Sequence, residues 1–162
     1  MPGAGKTTLG AALAQELGFS FLDLDDQIEQ AEQRSIAEIF TSKGEAYFRQ
    51  AEARELRRLQ GLQHTVVATG GGTPCFLQNI SWMNERGLTV FLDVPLELLA
   101  LRLEKQTNRP LFTGRAQTLR HKLHETLSAR TRYYEQAAVK VAAENLNIKE
   151  LAQLVREIVE KG

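Results

Sequence analysis

The stretch Met1-Pro2-Gly3-Ala4-Gly5-Lys6-Thr7-Thr8 decides how the rest of the chain is read. Gly3 to Thr7 reproduces the end of the phosphate-loop pattern GxxxxGK[ST]. In that pattern backbone N–H groups wrap phosphates, the Lys reaches the β and γ oxygens and the hydroxyl ligates Mg²⁺. On this reading Gly3, Ala4, Gly5, Lys6, Thr7 and Thr8 bind ATP, and Thr7 also serves Mg²⁺. The first Gly of the pattern would fall just before Met1, and no strand precedes the loop. We therefore expect the strand that feeds such a loop to be missing from this chain.

Outward from the loop, Leu9, Ala12, Leu13 and Leu17 have helical spacing and Gly18 supplies a stop, which predicts a helix over Thr7 to Leu17. Phe19 to Leu24 has the length and composition of a strand, and it runs into Asp23, Asp25 and Asp26. Gln27 to Leu62 is helical in pieces, with a break near Lys43 and Gly44. His64 to Thr69 reads as a buried strand ending in Gly70-Gly71-Gly72. Leu88 to Val94 repeats the strand signal before Pro95, and helix resumes over Leu96 to Leu103. Lys105 to Thr118, with Pro110 and Gly114, reads as a mobile loop. A helix over Leu119 to Gln136, a strand over Val139 to Ala142 and a final helix capped by Asn147 complete the pattern.

Strands alternating with helices predict an α/β fold. We expect a P-loop NTPase-type three-layer sandwich, with a short parallel sheet flanked by helices and its first strand absent. In such sheets ligands bind beyond the carboxyl ends of the strands, where the phosphate loop, the Asp cluster and the Gly triplet all fall. The expected organisation is one domain over residues 1–162, with a lid at about 105–118.

Composition bounds the function. The 162 residues include 20 basic and 20 acidic side chains, giving a net charge of zero, with 43% apolar and 25% charged residues. That is an ordinary globular profile with no overall pull toward a polyanion, so we expect no nucleic-acid partner. The single cysteine, Cys75, has no partner for an internal disulfide or a metal site and is read as a packing residue. No window approaches a membrane span and no leader pattern opens the chain, so the expected compartment is the cytoplasm with no membrane partner.

Within the phosphate-loop context, Asp23 and Asp25 can point to one side, one serving the metal and the other the substrate. The blander reading of these acids is helix capping by Asp25 and Asp26. Gly70, Gly71 and Gly72 let a ligand approach the backbone. Arg49, Arg109 and Arg130 are individually ordinary arginines, although Arg109 sits in the predicted mobile loop, where a cation can stabilise a transferring phosphoryl group.

With the phosphate loop, FLDLDDQIE, RSIAEIF, GEAYFRQAE, TGGGT and NRPL in this order, the sequence resembles the shikimate kinase family from Gly3 to about Val141. That resemblance implies transfer of the ATP γ-phosphoryl to the 3-hydroxyl of shikimate, a step of chorismate and aromatic amino acid biosynthesis. It implies that Lys6 binds the phosphates, Thr7 and Asp23 hold Mg²⁺, and Asp25 orients or deprotonates the attacking hydroxyl. Arg49 and Arg130 clamp the shikimate carboxylate, Gly70, Gly71 and Gly72 contact the ring, Arg109 swings in with the lid and Arg102 packs on adenine. The family expectation is a monomer. Two other readings stay open: another P-loop small-molecule kinase, acting on gluconate or a nucleoside monophosphate, and a non-catalytic kinase-like binding module.

Overall fold

The computed structural model describes residues 1–106, 113–144 and 146–160. Helix α1 (Lys6–Leu17) opens at Gly5 and closes at Gly18, whose left-handed backbone turns its N–H onto the carbonyls of Ala14 and Gln15. Strand β1 (Ser20–Asp23) follows, and helix α2 (Leu24–Glu32) begins without any connecting loop. The strand thus ends one residue before the predicted limit. The reason is local: Asp23 is the N-cap, and its Oδ1 accepts the Asp25 N–H at 3.0 Å. The cap that the sequence offered to Asp25 and Asp26 belongs to Asp23, and those two occupy the first turn, where negative charge suits the helix dipole.

Helix α3 (Ile36–Arg58) starts in a capping box formed by Ser35 and Glu38, and it is interrupted at Gly44 (φ 79°, ψ 173°), where the sequence predicted a break. Strand β2 (Thr65–Ala68) leads through the Gly triplet into a single 3₁₀ turn at Thr73–Cys75 and then helix α4 (Asn79–Asn84). Strand β3 (Val90–Asp93), helix α5 (Leu96–Gln106), helix α6 (Thr113–Tyr134), strand β4 (Val139–Ala142) and helix α7 (Ile148–Val159) complete the order.

Two elements depart from the sequence reading. Helix α4 carried no periodic signal: it is six residues long, and its N-cap Gln78 has no side-chain cap bond. It is held instead by a tertiary contact, because Arg57 of α3 donates to the Leu77 carbonyl at 3.0 Å and to the Asn79 amide oxygen. Helix α6 begins at Thr113, six residues before the predicted start. Gly114 was read as a loop marker, yet in a first turn, where the backbone N–H groups lack intrahelical partners anyway, a Gly is tolerated.

The four strands found among the described residues form two parallel pairs, β1 with β2 in register from Ser20–Thr65 to Asp23–Ala68, and β3 with β4 from Val90–Val139 to Asp93–Ala142. Among the described residues no strand ladder joins β2 to β3. The pairs are joined by packing. Leu13 of α1 and Leu151, Ala152 and Val155 of α7 form one buried cluster, against which Val66, Val90 and Val141 pack from three strands. Fully burying one such aliphatic side chain contributes about 1.5–3 kcal/mol. On the other side Leu99 and Ala100 of α5 and Leu123 and Tyr134 of α6 form a second core, which Phe91 and Leu92 adjoin. Helices thus pack against both strand pairs, and the segments at the carboxyl ends of β1, β2 and β3 meet the phosphate loop at one rim: Asp23 accepts the Thr7 hydroxyl, Gly70 lies beside Asp25 and Val94 shares a cluster with Met1 and Ala4.

Candidate functional site

At that rim the phosphate loop wraps the start of α1. Gly3 (φ 73°) and Gly5 (φ 82°) both occupy the left-handed region, which costs other residues steric strain. Gly5 offers no side-chain cap and the first turn carries no acid, so the N–H groups at the helix start remain available to an anion. Ala4 is buried, whereas Thr7 and Thr8 are exposed. The Lys6 ammonium donates to the Met1 carbonyl at 2.9 Å. Burial pulls its pKa below the usual lysine value, against the opposing pull of Asp25 and Asp23.

Asp23 joins this loop to the strand end. Its Oδ2 accepts the Thr7 hydroxyl at 2.7 Å while its Oδ1 caps α2. A hydroxyl and a carboxylate meeting in this way form the oxygen donor set a hard divalent cation takes alongside phosphate oxygens and water. No group of three or more His, Cys, Asp or Glu converges among the described residues, and a cation bound in that manner does not require one.

The Gly triplet is the hub of the site. A Cβ added at Gly70 would lie 3.2 Å from Asp25 Oδ1, Glu52 Oε1 and Thr73 Oγ1 alike. One added at Gly71 would lie 3.3 Å from an Arg130 nitrogen, and one at Gly72 only 2.7 Å from an Arg49 nitrogen. Asp25, Arg49 and Arg130, predicted from three separate segments, therefore gather around three consecutive residues. Asp25 keeps its proton to higher pH than an ordinary carboxyl, first through burial and then through repulsion from Asp23 and Glu52, with Lys6 opposing. Arg102 lies against the phosphate loop, donating to the Gly3 carbonyl at 3.3 Å. Arg109, and with it residues 107–112 of the predicted lid, lies outside the described residues.

Several participants escaped the sequence reading. Arg49 donates through Nη1 to Glu52 Oε2 and through Nη2 to Glu45 Oε1, each at 3.0 Å, and Phe76 lies 4.2 Å under its guanidinium. Glu45, Arg49 and Glu52 share one face of α3 at i, i+4 and i+7, a spacing visible in the sequence although nothing there marks which acid is buried. The Tyr134 hydroxyl donates to the Gly71 carbonyl at 2.6 Å, a contact across 63 positions that no local pattern encodes. Cys75 packs against the apolar core beside Met1 and Val94, and burial pushes its thiol pKa up, as expected of a packing residue.

The comparisons with known proteins agree on one family. The family model described as shikimate kinase matches residues 2–161. A shikimate kinase of Persephonella marina is 38% identical over 157 residues, spanning 97% of this chain and 92% of that protein. The crystal structure of shikimate kinase from Bacteroides thetaiotaomicron superposes with a TM-score of 0.83 at 36% identity, over 98% of this chain and 93% of that one. Shikimate kinase from Acinetobacter baumannii in complex with shikimate gives a TM-score of 0.82 at 35% identity, over 99% and 89%.

Proposed function

This chain belongs to the shikimate kinase family, and from that premise we propose how its residues carry out the ATP-dependent phosphorylation of shikimate. The observation that carries the reading is the Gly triplet, around which Asp25, Arg49 and Arg130 gather. A hydroxylated, carboxylate-bearing ring laid against Gly70, Gly71 and Gly72 would meet an arginine at either side and a carboxylate at its hydroxyls. Two guanidinium groups provide charge and orientation for a planar carboxylate. Glu45, exposed beside Arg49, yields its place on that guanidinium to the acceptor.

Gly3, Ala4, Gly5, Lys6, Thr7 and Thr8 hold the ATP phosphates, with the Lys6 ammonium on the β and γ oxygens, and Arg102 packs against the adenine. The acceptor's 3-hydroxyl oxygen forms a bond to the γ-phosphorus as the bond to the β,γ-bridging oxygen breaks, and ADP departs with that electron pair. Asp25 accepts the hydroxyl proton and fixes the attacking oxygen. Positioning and charge neutralisation supply most of the rate in such transfers. Thr7 and Asp23 would hold Mg²⁺, which when bound neutralises charge on the phosphate oxygens. Arg109 is assigned the lid cation on the strength of the NRPL motif. The same reading takes the chain as one domain acting as a cytoplasmic monomer. No helix among the described residues is long and apolar enough to cross a membrane.

The test is ADP release with ATP and Mg²⁺ against shikimate, gluconate and nucleoside monophosphates. Turnover with shikimate is expected. Turnover only with another acceptor would assign the site to a different small-molecule kinase, and release with none would favour a binding module.

A further inference from the structure

Beneath the acceptor site runs a buried polar chain that the reaction itself does not use. Thr73, Asn79 and Glu52 are at most 1% exposed. The Thr73 hydroxyl donates to Glu52 Oε1 at 2.6 Å, and the other oxygen of that carboxylate accepts Arg49 Nη1 at 3.0 Å. Thr73 is itself fixed from below, since Asn79 Nδ2 donates to its carbonyl at 2.8 Å and Arg57 donates to the Asn79 amide oxygen. A polar chain this deep is costly unless each member is satisfied.

We propose that the Thr73 hydroxyl is a positioning residue for the acceptor: it occupies one oxygen of Glu52, so that the other holds only Nη1 of Arg49, against Gly72, and leaves Nε and Nη2, which exposed Glu45 Oε1 holds at 3.2 and 3.0 Å, for the acceptor's carboxylate once Glu45 yields them. This inference rests on Arg49 binding the acceptor's carboxylate. Without the hydroxyl, Glu52 Oε1 has lost its donor, and a carboxylate in that state turns to take a guanidinium through both oxygens, the geometry such pairs prefer. Arg49 would then rotate into Glu52 and away from its ligand. The effect belongs to acceptor binding, because Thr73 and Glu52 touch neither the phosphate loop nor α1 in any hydrogen bond described.

The test is steady-state kinetics of Thr73→Val, which keeps the shape and removes the hydroxyl, and of Thr73→Ser, which restores it. In Thr73→Val the KM for shikimate should rise about 5- to 10-fold, with the KM for ATP within about twofold of the parent, and Thr73→Ser should behave like the parent. A KM for shikimate unchanged in folded Thr73→Val, or an equal loss in Thr73→Ser, would overturn the proposal. Arg49→Lys and the double variant Arg49→Lys/Thr73→Val give a second measurement. If Thr73 acts through Arg49, its substitution adds little to the Arg49→Lys defect, whereas full additivity would overturn the relay. Should Thr73→Val not fold, Thr73→Cys, which keeps a weak donor of similar size, takes its place with an intermediate KM expected and a parental one overturning. Lack of shikimate turnover by the parent would refute the assigned function instead, so the two failures are distinguishable.

Discussion

The two glycine loops at the rim use the same residue for opposite reasons. In the phosphate loop, Gly3 and Gly5 are needed for their backbone: both have positive φ, and a Cβ on Gly5 would meet nothing closer than 3.7 Å. In the triplet the backbone is ordinary, with Gly72 at φ −90°, and the requirement is space, since a Cβ there would stand 2.7–2.9 Å from three atoms of the Arg49 guanidinium. One loop is shaped by conformation and the other by what crowds around it. Substitution should therefore injure them differently, the first through the geometry of phosphate binding and the second through the acceptor.

Asp25, which lies between the two loops, carries the largest expected effect. Asp25→Asn should lower kcat on the order of 10²-fold or more while ATP binding persists, because the lost group acts on the attacking hydroxyl; a parental rate would remove it from the mechanism. The same variant should melt higher than the parent at neutral pH. Asp25 has a raised folded-state pKa, so its neutral form contributes stability below the unfolded pKa, and that contribution is lost as pH rises through the folded value. Thermal melts should show the advantage at pH 7 and its disappearance on acidification below the ordinary carboxylate range. The parent's kcat should correspondingly fall on the acid side at a pH above that range.

The comparison between loops breaks most directly on the glycines. Gly72→Ala should raise the KM for shikimate by about 10- to 100-fold through displacement of the clamp, with the KM for ATP and the melting temperature nearly unchanged. Gly5→Ala should weaken ATP binding instead, with about 1–2 kcal/mol of backbone strain. Gly5→Asn should recover part of that loss, because Asn tolerates the left-handed region, whereas Gly72→Asn should recover nothing. An Asn that rescued both positions, or neither, would erase the distinction.

Smaller effects sharpen it. Arg49→Lys should raise the KM for shikimate about tenfold as the planar fork is lost, measurable by titration of the acceptor at saturating ATP. Tyr134→Phe leaves the Gly71 carbonyl without its donor and should cost about 1 kcal/mol, seen as a melting temperature about 2–4 °C lower. No change in melting would mean that the triplet does not depend on that brace.

What the sequence revealed and what it hid divide along the range of the interactions. Helix α1 was legible because Gly5 and Gly18 mark its ends locally. The break at Gly44 and the cap at Asn147 were legible for the same reason. Asp23, Asp25, Arg49, Arg130 and the triplet were named from motifs, and the structure gathers Asp25 and the two arginines within reach of the triplet. Helix α4 was not legible, because its stability comes from Arg57, 22 positions from Asn79. Nor was the separation of the acids on α3: Glu45 and Glu52 look alike in sequence, and only packing makes one exposed and the other buried. Burial decided by distant segments leaves no local periodic trace.

The Asp23 carboxylate has a consequence of a different kind. Each of its two oxygens is committed, one to the start of α2 and one to the hydroxyl of Thr7. A mutation at this codon therefore strikes two unrelated demands at once, the reversal of the chain and the anchoring of the loop hydroxyl, and neither can be relieved by adjusting the other. Asparagine would preserve the first and surrender the charge of the second, and serine would reach only the helix. Lineages should thus find few viable exits from aspartate here, even under selection that no longer asked for catalysis.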